Sequence, residues 1–151
     1  GGCWWPLFIT PRWMQFIAKF TPHGWATIGF CWRKPVFMVA VRDSRHTFTI
    51  IEDAADYTVS VPSGDMKDAI MYCGTKSGRD GDKFEACGLK TLAGQTVASP
   101  VIDVPGIHIE CRIVLKTAMD PALMAADFAG LYPEKDYHTL YFGEITACYE
   151  T

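Results

Sequence analysis

Between Ile107 and Thr117 apolar and polar residues alternate: Ile107, Ile109, Cys111, Ile113 and Leu115 share one face, and His108, Glu110, Arg112 and Lys116 the other. That spacing predicts a β-strand whose polar face, His108 included, is solvated. The run Val36-Phe37-Met38-Val39-Ala40-Val41 is short, continuous and partly β-branched, which predicts a central strand covered on both faces. Tyr57 to Val61 alternates until Pro62 removes a ladder donor, and His138 to Tyr149 reads as a further strand. Gly143 in its interior implies a bulge or a close backbone approach.

The helical signals are briefer. Met66, Ile70 and Cys73 follow the caps Ser63 and Asp65 at helical spacing, with Gly74 where a left-handed C′ residue belongs. Asp82 to Gly88 repeats the acidic start and glycine stop over barely two turns, and Thr47 to Ala55 predicts a third short helix. Strands interspersed with brief helices predict a mainly β domain, a barrel with helical insertions.

The chain has 151 residues, 49% of them apolar and 21% charged, which suits one globular domain and excludes disorder. A net charge of −3 supplies no broad cationic field, so nucleic acid is not an expected partner and any phosphate must be met locally. The six cysteines form no C-x-x-C pair and have no histidine at zinc-ligand spacing, so no metal site is expected; they read as reduced, buried thiols of a cytoplasmic protein. Residues 1–20 are rich in Trp, Phe and Ile, but Pro6, Pro11, Arg12 and Lys19 interrupt them before the roughly 20 apolar residues that a membrane span needs. Neither the basic start nor the small-residue cleavage site of a signal peptide is present, so none is expected.

Two segments bring anion-binding chemistry together. Arg42-Asp43-Ser44-Arg45-His46-Thr47 leaves the central strand with two guanidinium groups and two hydroxyls as a helix begins. Such donors suit a phosphate, although a solvated turn with an N-cap has the same composition. Thr75-Lys76-Ser77-Gly78-Arg79-Asp80-Gly81-Asp82-Lys83 adds hydroxyls, cations and glycines that let an anion approach the backbone; an ordinary charged loop is the alternative. The Walker, Gly-x-Ser-x-Gly, His-Glu-x-x-His and Gly-x-Gly-x-x-Gly patterns are missing, so nucleotide hydrolysis, acyl hydrolysis, zinc proteolysis and a Rossmann site have no local support. Trp25 suits either the core or a planar ligand.

Taken in order, Gly24-Trp25-Ala26-Thr27-Ile28-Gly29, Lys34-Pro35-Val36, Arg42 to Thr47, Tyr57 to Pro62, Ser77 to Phe84, Glu110-Cys111 and Asp136 to Ile145 resemble the flavin reductase-like family, the flavoredoxin-like proteins with an FMN-binding split barrel. The resemblance covers residues 24–149; residues 1–23 diverge, with Thr21-Pro22-His23 where the family has a Met-Thr pair. It implies a single domain over 1–151, a six-stranded Greek-key split β-barrel with short helical insertions, and a homodimer holding FMN. It further implies that Arg42, Ser44, Arg45, Thr47, Ser77, Gly78 and Lys83 lie near the FMN phosphate and ribityl chain. Gly24, Trp25, Ala26 and Thr27 would lie beside the isoalloxazine, and His138 near its reactive face. The implied activity is hydride transfer from NAD(P)H to bound flavin, the cofactor carrying the chemistry. A flavoredoxin-like electron carrier serving a redox protein partner is the alternative, and a flavin-free barrel a third reading.

Overall fold

The computed structural model describes residues 7–11, 16–18 and 26–151. In chain order these form β1 (Leu7–Pro11), β2 (Phe16–Ala18), β3 (Ala26–Cys31), β4 (Lys34–Arg42), α1 (His46–Ile51), β5 (Asp56–Pro62), α2 (Lys67–Thr75), α3 (Lys83–Cys87), β6 (Thr91–Leu92), β7 (Val101–Ile102), β8 (Gly106–Ala118) and β9 (His138–Glu150). Seven strands make one antiparallel sheet in the order β2-β1-β5-β8-β9-β4-β3, and β6 and β7 make a small hairpin. The chain crosses from β4 to β5 over a gap that β8 and β9 later fill, which is Greek-key connectivity. The mainly β fold with brief helices is as expected, but the sheet has seven strands rather than six. Among the described residues no pairing joins β2 to β3, so the barrel is not closed. No helix among them is long and apolar enough to cross a membrane.

The core gathers Phe37, Val39 and Val41 of β4, Ile51 of α1, Tyr57 and Val59 of β5, Ile109 and Cys111 of β8, and Tyr141 of β9. Burying each large apolar side chain contributes about 1.5–3 kcal/mol. Tyr57 is fully buried, and its hydroxyl donates to the Phe37 carbonyl at 2.7 Å, which satisfies the one polar atom that it brings inside. Gly143 is needed here: a Cβ on it would stand 2.6 Å from the Tyr57 hydroxyl oxygen and 2.7 Å from Cys111 Cβ. The close approach expected at this glycine is therefore present.

The polar face of β8 departs from expectation. His108 is 1% exposed and Glu110 fully buried, because residues 89–105, which carry the β6–β7 hairpin, cover that face instead of solvent. His108 Nε2–H donates to the Val104 carbonyl (3.1 Å), leaving Nδ1 to accept from the Ser60 hydroxyl at 2.9 Å. Glu110 accepts from the Gln95 and Thr96 N–H groups, the Thr96 hydroxyl and the Tyr149 hydroxyl at 2.6–2.9 Å. Burial works to raise its pKa, but those donors outweigh it and hold the carboxyl below its ordinary value. Irregularities in the β8–β9 register, between Glu110 and Cys111 and between Ile113 and Leu115, turn the second half of β8 outward, leaving Leu115 exposed.

Asp82 caps α3 by accepting from the N–H groups of Phe84 and Glu85, and Gly88 ends the helix at φ +63°. At α2, in contrast, Gly74 lies inside the helix, which runs on to Thr75. Ala26–Cys31, not anticipated as a strand from its pattern, pairs with β4 through a turn in which Trp32 and Arg33 both have positive φ.

Candidate functional site

The pairing of β4 with β9 sets Arg42 directly opposite His138. Residues separated by almost a hundred positions thus meet at one end of the sheet, where β4 exits and β9 begins. Arg42 Nη1 donates to both carboxylate oxygens of Asp136 (3.1 and 2.9 Å), and the Ser44 hydroxyl donates to Oδ2 of the same carboxylate at 3.2 Å. The bond from Arg42 holds the Asp136 carboxyl below its ordinary pKa. The guanidinium also lies 5.4 Å from the centroid of the Tyr132 ring.

His138 is 2% exposed, with Nδ1 2.7 Å from the Tyr132 hydroxyl, and Tyr132 also approaches the Met119 sulfur at 3.3 Å. Burial, followed by the positive charges of Arg42 and Arg45, lowers the imidazole to about 4, so the ring is neutral at pH 7. It is a buried, oriented ring rather than the opening of a cleft.

Arg45 occupies the N-cap position of α1 and is exposed. Among the described residues it forms no salt bridge. Lys83, on α3, is largely buried and donates from Nζ to the Cys73 carbonyl at 2.7 Å. Burial lowers the Lys83 pKa, against the opposing pull of Cys73 and Cys87.

Of the remaining sequence candidates, Ser77 and Gly78 are half-buried in the loop joining α2 to α3, where Ser77 Oγ accepts from the Arg79 N–H at 3.2 Å. Thr47 is half-buried in the first turn of α1. Ala26 opens β3 and packs on the core, whereas Thr27 is exposed. Gly24 and Trp25 lie outside the described residues. The structure therefore joins Arg42, Ser44 and His138 at the strand exit, with Arg45 at the start of the adjoining helix, while Lys83 lies on α3 and bonds the Cys73 carbonyl. It gives Arg42 an internal partner, Asp136, that pattern reasoning missed along with Tyr132. Nothing local marks those two, because they become meaningful only through the β4–β9 pairing.

A cleft of about 390 Å³ lies elsewhere, lined by Ile51, Glu52, Arg112, Leu115 and Lys116 among others, and holds none of the candidates. Among the described residues no group of three metal-ligating side chains gathers.

The donor set fits a flavin mononucleotide: a dianionic phosphate matches two cations flanked by hydroxyls and a glycine-containing loop. Comparison with known proteins gives the family and the fold. The model of the flavin reductase like domain matches residues 24–151. A curated but uncharacterised protein of Archaeoglobus fulgidus is 28% identical over 107 residues, 71% of this chain and 51% of its own length. The chain spans about half the length of the curated relatives it matches. Among solved structures, flavoredoxin of Desulfovibrio vulgaris superposes with a TM-score of 0.72 at 22% identity, covering 97% of this chain and 69% of its own. The NADH:FAD oxidoreductase of Streptomyces globisporus gives 0.70 at 15% identity, covering 98% and 76%. At these identities the superpositions establish the fold.

Proposed function

This chain belongs to the flavin reductase-like domain family, and from that premise we propose that it binds FMN and acts as an oxidoreductase, with NAD(P)H as the electron donor. The observation that carries this reading is the family match over residues 24–151, with Arg45 exposed at the start of α1 and Ser77 and Gly78 half-buried in the loop before α3 as the donors that a phosphate needs. Arg45 and Lys83 hold the phosphate, with Thr47, Ser77 and the backbone at Gly78 as further donors, while the Ser44 hydroxyl is given to Asp136. Ala26 and Thr27, at the start of β3, flank the ring. Arg42 acts at one remove, through the bifurcated bond from Nη1 to Asp136 that fixes the strand exit. His138, neutral and tied to Tyr132, orients that end of the site without adding a charge to it. The chemistry that FMN supplies when bound is acceptance of a hydride from the nicotinamide and onward passage of electrons.

Purified protein mixed anaerobically with FMN and then with NADH or NADPH in a stopped-flow instrument is expected to bleach rapidly. No saturable FMN binding at micromolar flavin would overturn the flavin reading itself. Slow bleaching by both nucleotides, together with fast reduction by a ferredoxin-type donor, would replace the reductase with an electron carrier serving protein partners.

The working unit in this reading is a homodimer. Ile28, Phe30 and Trp32 of the β3–β4 hairpin are each more than 60% exposed, an apolar strip on a sheet edge that a second chain would cover. Light scattering is expected to give twice 16.8 kDa, and a monomer mass across a wide concentration range would reject the dimer.

A further inference from the structure

We propose that Cys73 and Cys87 form a modification site, a thiol pair that a peroxide converts reversibly into a disulfide clasping α2 to α3 across the loop between them. Their sulfur atoms lie 3.8 Å apart although the residues are 14 apart in sequence, so rotation of the side chains and a small shift of two short helices bring them to the roughly 2 Å of a bond. Both thiols belong to the small apolar cluster around Ile70, Ile102 and Val104, separate from the main core, so the adjustment leaves the sheet undisturbed. Cys87 is the more accessible of the two, and Cys73 is 3% exposed. Lys83 stands one helical turn before Cys87 on α3 and bonds the Cys73 carbonyl, which places a cation beside the pair.

The chemistry balances with hydrogen peroxide as the oxidant. The Cys87 thiolate attacks one peroxide oxygen; an S–O bond forms as the O–O bond breaks, and the second oxygen leaves as hydroxide, which takes up the one proton that the thiol gave up and becomes water. Cys73 sulfur then attacks the sulfenic sulfur of Cys87, forming the S–S bond and breaking S–O, and the hydroxyl departs with the Cys73 proton as a second water. Two thiols are oxidised by two electrons in all, and the peroxide is reduced by two. Burial pushes the Cys73 thiol up to about 12, which suits it to the second step rather than the first. The reduced thiols expected from the sequence are then the resting form.

The loop that the bond closes carries Ser77 and Gly78, yet the pairing depends only on the two sulfurs, so it stands or falls apart from the flavin reading. The test is peroxide treatment of the full chain, alkylation and peptide mass spectrometry, with and without added FMN. A linked pair of peptides containing residues 73 and 87, lost on treatment with dithiothreitol, is expected. Cys73→Ser should leave Cys87 as a sulfenic acid that dimedone labels, and Cys87→Ser should remove both label and link. A first link between other cysteines, such as Cys111 and Cys148, would overturn the proposal. So would dimedone labelling of Cys87 in the intact chain with no link formed.

Discussion

At the β4 exit, Arg42 directs a bifurcated bond from Nη1 to Asp136, Ser44 joins the same carboxylate, Thr139 donates to Asp43 at 3.0 Å, and His138 is held by Tyr132. The loop from Lys76 to Asp82 is made otherwise: its internal bonds are the Ser77 contacts with Arg79 and Asp80, and its order comes from the helices at its two ends. The first region has its donors matched by acceptors of the same chain, so its geometry is set before any ligand arrives. The second keeps short polar side chains and glycines half-buried or exposed, so its donors can adjust to an anion. Of the two cations assigned to the phosphate, Arg45 leaves the rigid region and Lys83 closes the adaptable one.

The largest expected effect tests whether the first region is rigid because it is buried. A free histidine takes up its proton near 6.5, whereas folded His138 does so at about 4. Between those values the unfolded chain binds more proton than the folded one, so stability falls as pH drops through 6.5 and levels off below about 4. The loss attributable to this group is roughly 3 kcal/mol. Urea unfolding of the wild type and of His138→Asn at pH 7, 5.5 and 4 should show this slope in the wild type and its absence in the variant. The Asp136 and Glu110 carboxyls, both held below their ordinary values, begin to lose their contribution as pH falls below about 5, so the interval from pH 7 to 5.5 reports on His138 and the variant corrects for the carboxyls at pH 4.

A smaller effect separates the two cations. Arg45→Ala should weaken FMN about ten-fold and leave the melting temperature unchanged, because the side chain is exposed. Lys83→Met should weaken FMN by a similar factor and also destabilise the fold by about 1–2 kcal/mol, because the Cys73 carbonyl loses its donor. Riboflavin, which lacks the phosphate, should bind both variants as it binds the wild type. Equal weakening of the two flavins would show that the substitutions act on the fold, and unchanged FMN affinity would return both segments to the reading of charged loops.

Much of the scaffold was legible in advance. The strands at Val36–Val41, Tyr57–Val61, Ile107–Thr117 and His138–Tyr149 all exist, because side-chain alternation and continuous β-branched runs are properties of a few consecutive residues. The cap at Asp82 and the stop at Gly88 were equally readable, each depending on one side chain and its nearest backbone. The β3 strand was not, since its exposed apolar residues show no buried face. The solvated face of β8 was misjudged for a related reason: nothing within Ile107–Thr117 reports that residues some ten to fifteen positions earlier fold over it.

The sequence by itself determined where the strands and short helices fall, which residues could meet an anion, and the family to which their order belongs. These follow from periodicity, capping and residue chemistry, which act over a few bonds. Only the tertiary structure decided that Arg42 is committed to Asp136, that His138 is buried and neutral, that Lys83 turns onto the Cys73 carbonyl, and that Cys73 faces Cys87. Each of these depends on pairing or packing between elements distant in the chain. Hydrogen-bond geometry, desolvation and charge–charge coupling are set by separations in space, and those exist only once the sheet has formed.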